Sequence, residues 1–174
     1  MVFFNENSKL AEVINKDHLL LPVINRLGIK LGFENFTIGQ VCESQNLNID
    51  FLIEIINVFH NENYFPEEKL MNFSVLLVID YLKETHKYYT EYTINENDRL
   101  IDLLLKTEKN KKPENELIRK FYKNYKEELI QHIVSEENKV FPYIISLEDA
   151  LKSDKKKADF IKIHGDYSIT NFEK

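Results

Sequence analysis

The segment SVLLVIDYLKETHKYYTEYT, residues 74–93, decides the fold of the second half of the chain. Its main pattern recurs at steps of four and three residues, at Val75, Ile79, Leu82, His86, Tyr89 and Thr93. These steps place side chains on one face of an α-helix. The segment therefore predicts a long helix, and apolar residues from Leu100 to Leu105 continue the helical run.

A second stripe of the same kind follows a loop predicted over residues 109–115. Its positions are Leu117, Phe121, Tyr125, Leu129, His132, Glu136 and Val140. They predict a helix from about Glu114 to Ile145, which Pro142 is expected to kink or end. Two long helices joined by a short loop form an antiparallel hairpin. The charged residues 149–159 predict a loop and residues 164–166 a turn, and Ser168 is a candidate cap for a further helix.

Residues 1–65 predict a compact cluster of four short helices. Thr37 and either Asn48 or Asp50 are N-cap residues, and Gly28 is placed as a C-cap glycine. Residues 61–66 form a linker. The sequence therefore predicts an all-α chain with a small helical domain over residues 1–65 and a helical hairpin over residues 66–174.

Composition excludes several functional classes. The net charge of −6 and the scarcity of arginine argue against nucleic-acid binding. The single cysteine, Cys42, excludes an internal disulfide and is consistent with a reducing cytosol. There is no basic, apolar leader and no run of about 18 apolar residues, so the sequence predicts a cytoplasmic protein without a membrane span.

Three residues carry the chemistry that the sequence suggests. His86, His132 and Glu136 fall on stripes that are otherwise apolar or aromatic, where a polar group is costly to bury unless it is satisfied. His132 and Glu136 are four residues apart and project from the same side of one helix. Imidazole and carboxylate together suit iron or manganese, and helical bundles hold such metals between facing helices. The alternatives are that His86 is a hydrogen-bonded core residue and that His132 and Glu136 are a surface pair.

The other candidate residues are given structural interpretations. His60 is expected to act as a charge at a helix C-terminus, and His18 is expected to face solvent. Cys42 is expected to be a small buried residue. No role as a ligand is assigned to His164.

Several segments resemble hemerythrin-like cation-binding domains, and most closely the iron–sulfur cluster repair di-iron proteins, which also regulate cell morphogenesis and nitric-oxide response. LVIDYLKETHKYY (77–89) and YKEELIQHIVSEENKVFPYI (125–144) are similar to the first two bundle helices of that family. DHLLLPVINRLGI (17–29) and TIGQVCESQNLNIDFLIEIIN (37–57) are similar to its small N-terminal domain. The resemblance covers about residues 8–147.

The resemblance implies a non-haem di-iron centre that responds to nitrosative or oxidative stress or delivers iron to damaged clusters, with O2 or NO as a small ligand. It puts His86, His132 and Glu136 at ligand positions. Three departures stand out. Lys30-Leu31-Gly32 replaces the family's cysteine pair, residues 95–112 contain no extra histidine, and two further ligand-bearing helices are not seen. The expectation is therefore either a homodimer of hairpins or a chain that lacks its last two bundle helices. The alternative function is a metal-free or ligand-sensing interaction module of a larger, transcriptional regulator. This alternative is considered because some relatives are joined to a helix-turn-helix DNA-binding domain.

Overall fold

The structure, a computed structural model, describes residues 2–30, 32–107 and 113–165. The described helices are α1 (Leu10–Lys16), α2 (Leu20–Arg26), α3 (Ile38–Gln45), α4 (Ile49–His60), α5 (Glu67–Leu70), α6 (Val75–Tyr88), α7 (Ile94–Thr107), α8 (Pro113–Ser135), α9 (Phe141–Ala150) and α10 (Asp154–His164). Two π-helical segments, Tyr89–Thr93 and Glu136–Val140, interrupt the longest runs. Within the described residues, extended pairing is limited to an isolated bridge between Lys9 and Thr37. The predicted all-α class is confirmed.

The chain divides into two compact units, residues 1–84 and 85–174. In the first unit, Thr37 caps α3 as predicted, in a capping box with Gln40. Asn48, and not Asp50, caps α4 by accepting a hydrogen bond from the backbone N–H of Phe51 at 2.9 Å. Gly28 follows the C-cap residue of α2 with a φ of +78°, which fits its predicted role. Local sequence signals therefore set these helix ends.

One hydrophobic core holds the first unit together. Its fully buried side chains come from α1 to α4 and include Leu10, Leu20, Ile24, Ile38, Leu52 and Ile56. Phe73, Leu77, Val78 and Tyr81 pack against the same core. These contacts explain why the first compact unit extends to residue 84. The sequence placed the domain boundary earlier, after residue 65. The short helix α5, which the sequence did not predict, lies in the same unit.

In the second unit, side-chain contacts join α7 to α8. The Tyr122 hydroxyl donates to the backbone carbonyl of Ile94 at 3.1 Å. Further along α8, Lys126 pairs with Asp98 at 2.6 Å. Earlier on α8, Arg119 lies 3.9 Å from Asp102. These contacts show that α7 and α8 lie against each other.

In the C-terminal third, an end of the second long helix at Pro142 and most of the loop predicted over residues 149–159 are wrong, whereas a kink at Pro142 stays a prediction. The second long helix does not end at Pro142, because Phe141 N–H bonds the carbonyl of Glu136 five residues back and Pro142 lies in the first turn of α9. Residues 154–159 are not a loop but the start of α10, where Ser153 is the N-cap and Lys156 pairs with Asp149 at 2.7 Å. His164 ends this helix.

Some features predicted from the sequence fall on residues that the structure does not describe. Residues 109–112 of the predicted loop, Asp166 and the cap at Ser168 lie outside the described residues. Pro113 already begins α8, where a first-turn proline is well tolerated. In the described part of the chain, no helix combines the length and the apolar character that a membrane crossing requires.

Candidate metal centre

The structure brings the three candidate ligands of the sequence into one cluster in the second unit. His86, in the last turn of α6, is buried, and only 9% of its side chain is exposed. His132 lies in the last turn of α8 and is 66% exposed. Glu136 opens the π-helical segment that follows α8 and is 28% exposed.

Glu136 lies between the two imidazoles. Its Oε2 is 3.1 Å from Nε2 of His86, and its Oε1 is 3.2 Å from Nε2 of His132. The contact between His132 and Glu136 is the predicted pairing of residues four apart. The contact with His86 joins the two long helices, so the carboxylate links groups that are far apart in sequence.

Two further residues hold His86, and sequence reasoning assigned a role to neither. Oε1 of Glu137 lies 3.0 Å from Nδ1 of His86. The ring of Phe141 stacks on the imidazole at a centroid distance of 5.7 Å and an interplanar angle of 8°. Glu137 and Phe141 each come one residue after a position of the stripe, Glu136 and Val140, so neither belongs to the stripe. Only the family resemblance could have pointed to these two residues, because the segment that carries it, residues 125–144, contains both.

The contacts of His86 constrain its hydrogens. An ionised carboxylate only accepts hydrogen bonds, so the contact with Glu137 requires a hydrogen on Nδ1. In the neutral ring, Nε2 then carries a lone pair that faces the carboxylate of Glu136. Either a second hydrogen or a cation between the two groups makes that contact favourable. A carboxylate that orients the far nitrogen of a histidine is also the usual outer partner of a metal-bound imidazole.

The number of donors, two imidazoles and one carboxylate, is nearer to what one transition-metal ion takes than to what two ions take. Neighbouring ligands at metal distances of about 2.1 Å and right angles lie about 3.0 Å apart, close to the separations around Glu136. Two nitrogens and a carboxylate suit iron or manganese. Among the described residues, however, no group of three His, Cys, Asp or Glu side chains surrounds a common metal position. A carboxylate-bridged pair of metal ions in a bundle takes about six protein ligands.

Local sequence explains why the helices widen at this site. The hydroxyl of Thr90 donates to the carbonyl of His86 at 2.9 Å, and the amide of Asn138 donates to the carbonyl of Val134 at 2.9 Å. Side-chain donors of this kind compete with the ordinary i to i+4 bonds of a helix. One π-helical segment begins three residues after His86, and the other begins at Glu136. Such segments often occur at functional sites.

A cavity of about 220 Å³ lies near the cluster, inside the second unit. Tyr89 and Leu129 line it, each three residues from a candidate histidine. Thr93 also lines it, and the hydroxyl oxygen of this residue is buried without a hydrogen-bond partner. A cavity of this size admits a small molecule several times larger than a diatomic gas.

The remaining histidines and the cysteine lie elsewhere. His60 pairs with Asp17 at 2.8 Å in the first unit. His164 stacks against Phe160 at 4.6 Å, and His18 is exposed as expected. Cys42 is buried as expected, and burial raises the pKa of its thiol.

Comparison of the chain with protein-family models, curated proteins and solved structures found no match.

Proposed function

We propose that the chain is a hemerythrin-like protein that binds non-haem iron through His86, His132 and Glu136. The observation that carries the proposal is the position of the Glu136 carboxylate between the two Nε2 atoms, at 3.1 and 3.2 Å. Ordinary packing does not require one carboxylate to contact both a buried and an exposed histidine. Helical spacing in the sequence points to the same three residues.

Each residue has a distinct task in this proposal. Glu137 keeps the hydrogen on Nδ1 of His86 and so presents Nε2 as a ligand. Phe141 covers one face of the same ring and limits the access of water. When bound there, iron would supply reversible binding of a small ligand such as O2 or NO. The resemblance to the cluster repair proteins supplies the rest of the proposal, a role in nitrosative or oxidative stress response or in the repair of iron–sulfur clusters.

The proposal is tested by iron uptake. The chain is loaded with ferrous iron without oxygen, desalted, and assayed for iron by elemental analysis. We expect about one iron per chain, since one chain supplies about half of the ligands of a two-metal site. His132→Ala should abolish uptake and keep the helicity, because the side chain is largely exposed.

His18→Ala is the matched control, since it removes another exposed histidine from the other unit. It should bind iron as the parent chain does. Iron far below stoichiometry in the parent chain, or equal loss in both variants, would contradict the proposed metal centre.

A second candidate function is a metal-free interaction module of a larger regulator. The observation that favours it is that the polar groups of the cluster already contact one another, while large apolar side chains of α7 and α8 are exposed. Absence of iron uptake in the parent chain would move this candidate to first place.

A further inference from the structure

An apolar band crosses one face of α7 and α8 in the second unit. Its side chains are each 45–72% exposed, and they are Leu100, Leu103, Leu104, Leu117, Phe121 and Tyr125. The contact between Asp102 and Arg119 lies between the two helices at the level of this band. The two halves of the band therefore lie side by side and form one surface.

The sequence pattern makes this exposure informative. Leu117, Phe121 and Tyr125 belong to the stripe expected to face inward. On the helical wheel, Phe121, Tyr125 and His132 lie within about 40° of one another. The stripe therefore has the composition of an inward face, but a single copy of the chain leaves it in water. The exposed candidate ligand His132 lies on the same face.

The size of the band fits a protein interface. The exposed parts of its six side chains amount to roughly 600 Å², given that a large aromatic side chain buries 150–250 Å². This is at the upper end of the largest apolar patches of monomers, about 300–600 Å². It also approaches the roughly 800 Å² that each partner contributes to a standard interface.

Charge favours a second copy of this chain as the partner. Beside the band, α7 is mainly acidic, with Glu96, Asp98 and Asp102. The facing stretch of α8 is basic, with Arg119, Lys120 and Lys123. A twofold axis along the helices would place α7 of each copy over α8 of the other. The acidic excess of one helix would then face the basic excess of the other at both contacts, beside the pairs that Asp98 and Asp102 already form inside the chain. An anionic membrane or a nucleic acid would meet as many acidic as basic groups on this face.

We propose that this band is the interface of a homodimer in which two copies of the second unit form one helical bundle. Each copy buries Phe121 and its neighbours against the partner. The interface itself does not depend on metal, but its consequence for the metal centre rests on the proposed function. The same axis puts both sets of His86, His132 and Glu136 at one level, which doubles the ligands to the number that a two-metal site takes.

The test is sedimentation of the full chain in the presence of a chelator, so that association is measured without metal. We expect a dimer at about 10 µM, the range of a moderate protein interface. Phe121→Glu should weaken the association at least about tenfold, because it puts a charge in the centre of the apolar contact. Unchanged helicity shows that this variant is folded.

Phe65→Glu is the matched control, because Phe65 is 71% exposed in the first unit and Phe121 is 72% exposed. It should remain a dimer. A folded parent chain that is monomeric up to about 100 µM, or a Phe121→Glu variant that associates as tightly as the parent, overturns the inference.

Iron uptake separates this inference from the proposed function. A monomer that binds iron, and loses it in His132→Ala, overturns the homodimer and leaves the proposed function in place. A dimer that takes up no iron supports the interface and contradicts the metal centre.

Discussion

Glu137 shows how a residue outside a ligand set can determine its chemistry. A histidine has two ring nitrogens, and the partner of one decides what the other can do. With Nδ1 of His86 held at 3.0 Å by Glu137, Nε2 is the nitrogen left to face Glu136. Phe141 also stacks on one face of the imidazole ring. Glu137 is thus a positioning residue for the proposed ligand.

We therefore expect Glu137→Ala to lower the affinity for ferrous iron by about tenfold to a hundredfold, the usual effect of losing such a partner. Glu137→Gln keeps an oxygen that accepts the Nδ1 hydrogen and should lose less. The measurement is a competition titration with a chelator of known affinity.

Glu128→Ala provides the control, since it removes an exposed carboxylate from the same helix. It should leave the affinity unchanged. Equal affinity of the Glu137→Ala variant and the parent would show that the contact with His86 has no part in iron binding.

Helix ends and helix interiors differ in how well the sequence predicts them. The caps at Thr37 and Asn48 and the glycine after α2 were predictable, because each depends on a residue type with a local conformational or hydrogen-bonding preference. The π-helical segments were not, since an i to i+5 bond leaves no residue pattern of its own. The position of Glu136 was predictable from helical spacing because the segment begins at that residue and the spacing before it is regular.

The π-helical segment after Ser135 should be necessary for the site. Removing Lys139, which is exposed, is expected to restore an ordinary helix and rotate Phe141 by about 100° relative to Glu136. The stacking on His86 would then be lost. We expect weaker iron binding and a lower melting temperature with little change in helical content, measured by titration and circular dichroism.

Lys139→Ala keeps the chain length and should behave as the parent. A deletion variant that binds iron with unchanged affinity would show that the widened turn does not position the cluster.

At the scale of the whole molecule, the two compact units differ in how much apolar surface they bury. The first has a closed apolar core with many fully buried side chains. Among its described residues, the second unit buries fewer side chains, which include Ile94, Ile133 and Phe141, and leaves many large apolar ones exposed. The sequence predicted two parts because patterns of short and long helices differ. It could not place the boundary within α6, because the first residues of that helix pack on the first core through side chains such as Leu77.

The division into units predicts that stability and iron binding respond to different substitutions. Ile56 is fully buried in the first core, so Ile56→Ala should lower the free energy of unfolding by about 2–5 kcal/mol. The candidate ligands lie in the other unit. Iron uptake at a temperature where the variant is folded should therefore equal that of the parent. Urea unfolding followed by circular dichroism gives the first quantity and elemental analysis the second. Loss of iron in step with stability would mean that the site depends on the first core, and the two compact units would then have to be treated as one functional body.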